Sequence, residues 1–463
     1  MEFRNIIRMG CIYLCLCAPV WADPMNLIVI MPDDHSQRAM GAYGDPDAIT
    51  PNFDQLANQG IRFENAYAAA PVCSPSRAAV LSGKYPSQVG VNDFLMLNDS
   101  YRDRGLDVSA VTYPQILQAN GYVTGMIGKW HLGTAPERHP LRRGFDYFVG
   151  YEQDLIAFNP VLDINGQKKM VEGHTSDIFV KYAKEFLTQN KDRKFSLNIS
   201  FREPQRPWEA LPQQDLDAVS HIDPVVPKID GVDETWLKKI TRDNYAAIHA
   251  LDRAVGEIIA ELDALGLADK TVIIYVGDHG MVIGQHGYFG RGAVGAIAGS
   301  DVVGSENIAN LFEEAIKIPM ILKLPENKAG GKVISAPVSN VDVFPTVLSL
   351  LDIEIPASIS PDGRNLKLLL NDHNPPEPQP VFAQYNMENF GIAHLRMVRW
   401  GDWKLVRRFG QNADADLLDE LYNLKSDPKE SENLIAAQNH QDTRKILDQM
   451  LESWMISIND PAL

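Results

Sequence analysis

Asn26-Leu27-Ile28-Val29-Ile30-Met31-Pro32-Asp33-Asp34-His35 starts as an unbroken apolar run and ends in two adjacent acids. Such a run reads as a strand buried on both faces, which a parallel sheet covered by helices requires. In an open α/β sheet, ligands gather outside the carboxyl ends of the strands. Asp33 and Asp34 therefore fall where a site belongs, unless they form a solvated turn with an Asp cap. Thr271-Val272-Ile273-Ile274-Tyr275-Val276-Gly277-Asp278-His279-Gly280 repeats the arrangement. Asp33, Asp34, Asp278 and His279 together make a mainly oxygen donor set suited to a divalent cation, Ca²⁺ or Mg²⁺.

Between these strands lies Pro71-Val72-Cys73-Ser74-Pro75-Ser76-Arg77-Ala78-Ala79-Val80-Leu81-Ser82-Gly83. Pro75 fits a first helical turn, where a missing N–H costs nothing. Cys73 then sits at a helix N-terminus, which favours an anion. Arg77, one turn on, has the fork geometry that grips sulfate or phosphate. The alternative is a small buried Cys ahead of an ordinary helix. Further along, Tyr122 to Gly128 reads as a glycine-broken strand delivering Lys129 and His131. Two residues apart in extended chain, these project to the same side, one a fixed cation and the other a proton exchanger. Helices are expected over Thr50–Gly60 (cap Thr50, Pro51 first), Tyr113–Asn120, Ser176–Leu187, Thr235–Leu265, Asn340–Leu351 and about Gln441–Ser457. A further strand is expected over Phe195–Phe201, followed by Arg206 in a stiff Pro-flanked loop. Leu211–Gly231 reads as a long surface loop, Gly292–Gly304 as a mobile one, and Asn374–Pro380 as a linker.

The chain has 463 residues, 45% hydrophobic and 22% charged, with a net charge of −17. An acidic protein is a poor general binder of nucleic acid or anionic membrane, so an anionic ligand needs a local pocket. Arg4 and Arg8, the apolar Met9–Val20 segment and Val20-Trp21-Ala22 read as a cleaved export signal, residues 1–22, too short for stable membrane insertion. The product is then exported, periplasmic or secreted. Of the four cysteines, Cys11, Cys15 and Cys17 leave with that signal. Cys73 stays alone in an oxidising compartment, where it is inert, paired between chains, or chemically used.

Cys73-Ser74-Pro75-Ser76-Arg77 continuing to Leu81-Ser82-Gly83 resembles the C-x-P-x-R signature of the type I sulfatases, in the alkaline phosphatase superfamily. Gly128-Lys129-Trp130-His131 resembles that family's second signature. The resemblance extends to Met31–Asp34, Asp278–Gly287, Asn340–Thr346 and Leu421-Tyr422-Asn423-Leu424 with Asp427-Pro428. It implies an alkaline-phosphatase-like α/β fold: a large, mixed, mostly parallel sheet flanked by helices, with a smaller C-terminal α+β subdomain carrying an antiparallel sheet. The corresponding division is 23–374 for the catalytic domain and 375–463 for the subdomain.

The resemblance also implies a chemistry. Cys73 becomes formylglycine through a formylglycine-generating maturation enzyme, and the hydrated aldehyde is the nucleophile that takes up sulfate. Asp33, Asp34, Asp278 and His279 hold one Ca²⁺ per chain. Arg77 steadies the nucleophile and the metal, Lys129 contacts sulfate, and His131 serves as a base in sulfate release. Arg291 stands where the family has a sulfate-binding Lys; its high pKa makes it a poor proton donor. One departure stands out. The family's general-acid His, in Pro-His-x-Pro, is replaced in Pro204-Gln205-Arg206-Pro207. Either His286, another His such as His139, or water takes the acid role, or Arg206 stabilises the leaving group; Gln205, Arg206, His286 and Arg291 are thus the candidate substrate contacts. The expected substrate is a sulfated carbohydrate, an algal galactan such as carrageenan or a glycosaminoglycan. Trp130, Trp208 and Tyr288 suit sugar stacking or simply the core. A phosphonate or phosphate ester hydrolase of the same superfamily and a non-catalytic binder of sulfated glycans are the competing readings.

Overall fold

The computed structural model describes residues 25–96, 103–152, 156–208, 210–296, 308–370, 379–409 and 419–463. The expected export signal over 1–22 and most of the expected Asn374–Pro380 linker lie outside the described residues. A ten-stranded sheet runs through the larger part of the molecule. Thr271–Val276, Asn26–Met31, Phe195–Ser200, Val123–Lys129 and Tyr147–Tyr151 lie side by side in that order, all parallel. Antiparallel neighbours, Met320–Lys323 and Val161–Ile164, flank the two sides of this block. The expected fold class, a large mixed and mostly parallel sheet, is the one observed.

All residues of Asn26–Met31 are buried because both faces are covered. Leu27, Val29 and Met31 pack towards the helices Cys73–Ser82, Tyr113–Ala119 and Val343–Leu350. Ile28 and Ile30 pack towards Pro51–Gln59, Thr175–Asn190 and Glu234–Ala264. Full burial of such a side chain stabilises by about 1.5–3 kcal/mol, so neither face tolerates a polar residue. The acids consequently appear only where the strand leaves the sheet.

Some local details differ from the sequence reading. Thr50 precedes the first helix, but its hydroxyl accepts from Gly41 N and donates to Asp54. The helix is capped by the Asp252 carboxylate, which accepts from the backbone of Asn52 and Phe53 at 3.2 and 2.7 Å. Leu211–Gly231 is not all loop, since Gln213–Val219 forms a helix whose buried Asp215 pairs with Arg253. Ala293–Ala296, expected within a mobile loop, is a strand between Tyr288–Gly290 and Ile308–Ala309. Paired neighbours supply the ladder that a Gly- and Ala-rich segment cannot specify alone.

The C-terminal strands Val381–Met387, Ala393–Trp400, Trp403–Phe409 and Glu420–Asn423 form an antiparallel meander. Leu447, Leu451, Trp454 and Met455 of the helix Gln441–Ser457 cover one face. Ala383, Tyr385 and Met397 pack with Tyr67 and Val72, immediately before Cys73. Arg396 and Asp460, both fully buried, form a bidentate pair at 2.6 Å that ties the sheet to the chain's last turn.

Gly128, immediately before Lys129, has φ +100° and a Cβ there would lie 1.9 Å from the Ser200 carbonyl oxygen. Gly44 also has a positive φ, +97°, but nothing lies within 4 Å of its would-be Cβ. Gly44→Ala should therefore cost only the backbone penalty, about 1–2 kcal/mol. Gly128→Ala adds a backbone clash between adjacent strands and should cost at least about 3 kcal/mol. Urea midpoints of the two variants check this; equal losses would mean the close approach is not what requires glycine.

Candidate active site

Four adjacent strands deliver the site from their carboxyl ends. Asn26–Met31 carries Asp33 and Asp34, and Thr271–Val276 carries Asp278 and His279. Val123–Lys129 ends on Lys129, and Phe195–Ser200 leads to Gln205. The helix Cys73–Ser82 points its first residue into their midst. Every residue of this helix is buried, so its position is fixed by packing on all sides.

Cys73 Sγ lies 3.3 Å from Asp33 Oδ1, 3.2 Å from His279 Nε2 and 3.9 Å from Arg291 Nη1. Arg77 donates through Nε and Nη2 to Asp278 Oδ2 at 3.1 and 2.9 Å, and through Nη1 to the Lys129 carbonyl at 3.0 Å. Lys129 Nζ is bonded to Asp33 Oδ2. Arg291 Nε lies 2.7 and 2.9 Å from the two oxygens of Asp34. The Gln205 amide satisfies both neighbours when its nitrogen donates to Asp33 Oδ2 at 3.0 Å and its oxygen accepts from Arg291 Nη2 at 2.8 Å.

Charge dominates this pocket. Burial opposes ionisation of Asp33, but Lys129, Arg77 and Arg291 outweigh it and hold the carboxyl well below its usual range. Burial, together with the Asp33 charge, pushes Asp278 up to about 7. Burial disfavours a charged His279, yet Asp278 and the other anions around it raise its pKa to about 10. Burial and Asp33 oppose a thiolate at Cys73, while Lys129, Arg291 and His279 draw its pKa below the usual value.

The donors fit a divalent metal. Ligand atoms of Asp33, Cys73, Asp278 and His279 all lie within 4.8 Å of one another. Asp34 turns mainly to Arg291, but its Oδ1 accepts no hydrogen bond and lies 3.5 Å from His279 Nε2. His279 Nδ1 is 2.8 Å from the Gly280 carbonyl, which fixes the proton there and leaves Nε2 facing the carboxylates. A carbonyl-anchored imidazole is the usual posture of a metal-ligating His.

His131 Nε2 lies 2.9 Å from the Leu95 carbonyl, so that nitrogen carries the proton; Nδ1 is buried without a partner. Burial, with Lys129 nearby, lowers the His131 pKa to about 3, so the ring is neutral at ordinary pH. The remaining predicted residues make other contacts. Arg206 is exposed, with its guanidinium 4.6 Å above the Phe289 ring. His286 Nε2 lies 3.2 Å from Glu314 and its ring stacks on Phe312 at 4.0 Å. His139 pairs with Asp163 at 3.3 Å near the far side of the sheet. Trp130 and Trp208 are 1% and 5% exposed and donate to the Arg138 and Pro204 carbonyls, so they belong to the core.

Sequence reading missed the layer beneath these groups. Ser76 Oγ donates to the Asp278 carbonyl, and Asn340 Nδ2 donates to Ser76 Oγ at 2.7 Å while its Oδ1 accepts from Ala69 N. Ser76 is the variable residue between Pro75 and Arg77, and Asn340 opens a motif whose function the sequence left blank. Only their convergence in space gives them a purpose.

Residues 25–353 match the family model described as Sulfatase, and residues 308–456 match N-sulphoglucosamine sulphohydrolase, C-terminal. The chain belongs to the sulfatase family. Among its relatives is an N-acetylglucosamine-6-O-sulfatase of Bacteroides thetaiotaomicron, 26% identical, with 94% of this chain and 87% of that protein covered. Another is an ulvan-active sulfatase of Formosa agariphila, 27% identical, with 94% and 82% covered. A solved structure holding D-glucosamine-2-N,6-O-disulfate shares the fold with a TM-score of 0.80 at 24% identity, covering 95% of this chain and 99% of that one. The sulfatase is thus a sulfuric ester hydrolase.

Within this sulfatase, Arg77 is 2% exposed and neutralises a fully buried Asp278. Arg77→Ala should destabilise the fold by roughly 3–5 kcal/mol, because it strands a buried charge. Arg77→Lys should recover part of that stability but not the fork, leaving turnover down at least about a hundredfold. Thermal melts alongside aryl sulfate turnover separate the two effects. Full activity in Arg77→Lys would show that charge alone suffices.

Proposed function

We propose that this sulfatase removes sulfate from a sulfated carbohydrate after export from the cell, with Cys73 matured to formylglycine and one Ca²⁺ held by Asp33, Asp34, Asp278 and His279. The single observation behind this reading is the placement of Cys73 at a buried helix start, within 3.2–3.9 Å of His279, Asp33 and Arg291. The carbohydrate substrate is supported by relatives named for N-acetylglucosamine-6-O-sulfate and for ulvan that span nearly the whole chain. Export is supported by the sequence of residues 1–22; no helix among the described residues is long and apolar enough to cross a membrane.

Asp33, Asp34 and Asp278 face three cations, Arg77, Lys129 and Arg291. Within that balance, a bound divalent ion supplies Lewis-acid stabilisation of the nucleophile and of sulfate oxygens. Lys129 and Arg291 bind the remaining sulfate charge. Arg77 holds Asp278 and the end of the Lys129 strand in place. Gln205 keeps Arg291 aimed across the site through its bridge to Asp33. With Nε2 committed to the Leu95 carbonyl, the unpartnered Nδ1 of the neutral His131 ring is the atom that can serve as base in sulfate release, once bound sulfate offsets the Lys129 charge that lowers its pKa. Gln205, at the position of the family His, carries no acidic proton. The leaving oxygen is therefore stabilised by cations and protonated by water, while His286, His139 and Arg206 serve Glu314, Asp163 and Phe289.

The decisive experiment is the mass of the peptide containing Cys73 from protein made in its native host, followed by desulfation of a glycan panel. The expected result is an aldehyde in place of the thiol and sulfate release from at least one polysaccharide. A fully retained thiol in active protein would falsify the mechanism. Chelation should abolish turnover and lower the melting temperature, with Ca²⁺ restoring both better than Mg²⁺. Turnover untouched by chelation would remove the metal from the reading.

A further inference from the structure

A second polar cavity, of about 490 Å³, opens between the loop following Asp33-Asp34 and the C-terminal sheet. Ser36, Gln37 and Arg38 line one wall, Glu313, Glu314 and Lys317 another, and Arg399, Asp402 and Lys425 the third. None of the groups around Cys73 lines it. It also takes in Leu424 and Pro428, part of a sequence motif to which the reaction centre assigns nothing.

The charges here are unevenly matched. Glu313 bonds to Tyr67 and Lys404 and also feels Lys317 and Arg399, and Glu314 bonds to His286 with Arg38 close by, so two carboxylates are shared among more cations than they can pair. Asp402 is the one lining carboxylate left. Against it stand Arg38, Lys317, Lys425 and Arg399. The side chains of Arg38, Lys317 and Lys425 make no ion pair or hydrogen bond to the described residues. Arg399 is 7% exposed, and its Nε is buried with no partner although Nη1 reaches the Gly401 carbonyl at 2.7 Å. A guanidinium edge left unsatisfied in a polar cavity calls for an acceptor. Burial lowers the Lys317 pKa, and the opposing pull of Glu313 and Glu64 does not outweigh it with Arg399 and Lys404 close by. Planar forks and flexible ammonium groups converging on one space are the donor set for a tetrahedral oxyanion.

We propose that this cavity is an oxyanion site, separate from the reaction centre, that takes a sulfate group. The group is either carried on a polyanionic saccharide away from the ester being cut, an occupant that rests on the carbohydrate reading above, or is free inorganic sulfate. Ser36 Oγ bonds to the carbonyls of Met281 and Glu314, so the cavity wall and the loop bearing Asp33 and Asp34 are one structure. A saccharide anchored here is held on the side of that loop facing the C-terminal sheet.

Calorimetry on the full, metal-loaded protein tests this with two probes, sodium sulfate and a carrageenan hexasaccharide. Arg38→Gln/Lys425→Gln changes two exposed side chains, and Lys317→Gln is examined separately; turnover of 4-nitrophenyl sulfate should stay unchanged in both. For sodium sulfate, the expected result is two sites per chain in the wild type and one in the variants. For the hexasaccharide, affinity should fall roughly tenfold or more in the variants and weaken with added salt. Loss with sodium sulfate alone assigns the cavity to free sulfate, and loss with the hexasaccharide alone to a tethered group. Unchanged binding of both probes overturns the proposal, as does a loss that comes with an equal loss of 4-nitrophenyl sulfate turnover. A wild type that binds two sulfates yet cleaves no sulfate ester would instead count against the catalytic reading.

Discussion

Burial of like charge is the constraint around which this molecule is built. Asp33, Asp34 and Asp278 are 0–1% exposed and lie close enough to share neighbours. Carboxylates taken out of water without partners cost several kcal/mol each. Arg77, Lys129 and Arg291 offset them, yet each arrives on a different segment. The cluster is therefore stable only when the sheet, the Cys73 helix and the turn carrying Arg291 are assembled together. That mutual dependence makes the site a product of the whole catalytic fold.

The parallel sheet solves the delivery problem. Adjacent strands running the same way end at the same edge, so four sequence-distant segments place their next residues within bonding distance. Gly128 and Gly150 let the strands pass so closely that a Cβ would meet a carbonyl oxygen at 1.9–2.0 Å. The all-buried Cys73 helix leaves its first residue almost no freedom, and the Asn340–Ser76–Asp278 chain of hydrogen bonds fastens that helix to the strand end it faces. The C-terminal sheet contributes by packing Tyr385 and Met397 with Val72, one residue before Cys73.

Much of this was legible in the sequence because each signal was local. Continuous apolar runs marked the buried strands, and the acids after them marked the strand ends. The Cys73-to-Arg77 spacing and the Lys129–His131 pair could be read without knowing what they face. Helix limits came close as well, since Gln441–Ser457 matched and Glu234–Ala264 shifted by one residue at each end. Reading failed where a distant partner decided the outcome. Thr50 has the right chemistry for a cap, but Asp252 takes that place. Trp130 and Trp208 suited either sugar stacking or the core in sequence, and only their burial settles that they are core. The strand Ala293–Ala296 has no hydrophobic pattern of its own and exists through its neighbours.

The sequence by itself determined the order of the main buried strands and helices, the place of Cys73 at a helix start, and the set of acids and cations near the strand ends. These rest on periodicity and residue type, which are properties of short segments. Tertiary structure alone decided which groups touch: Gln205 across Asp33 and Arg291, His286 on Glu314, the free nitrogen of His131, and the buried Nε of Arg399 that faces no acceptor. Hydrogen bonds and ion pairs act over a few ångströms, and residues hundreds of positions apart come within that range only after the sheet has closed.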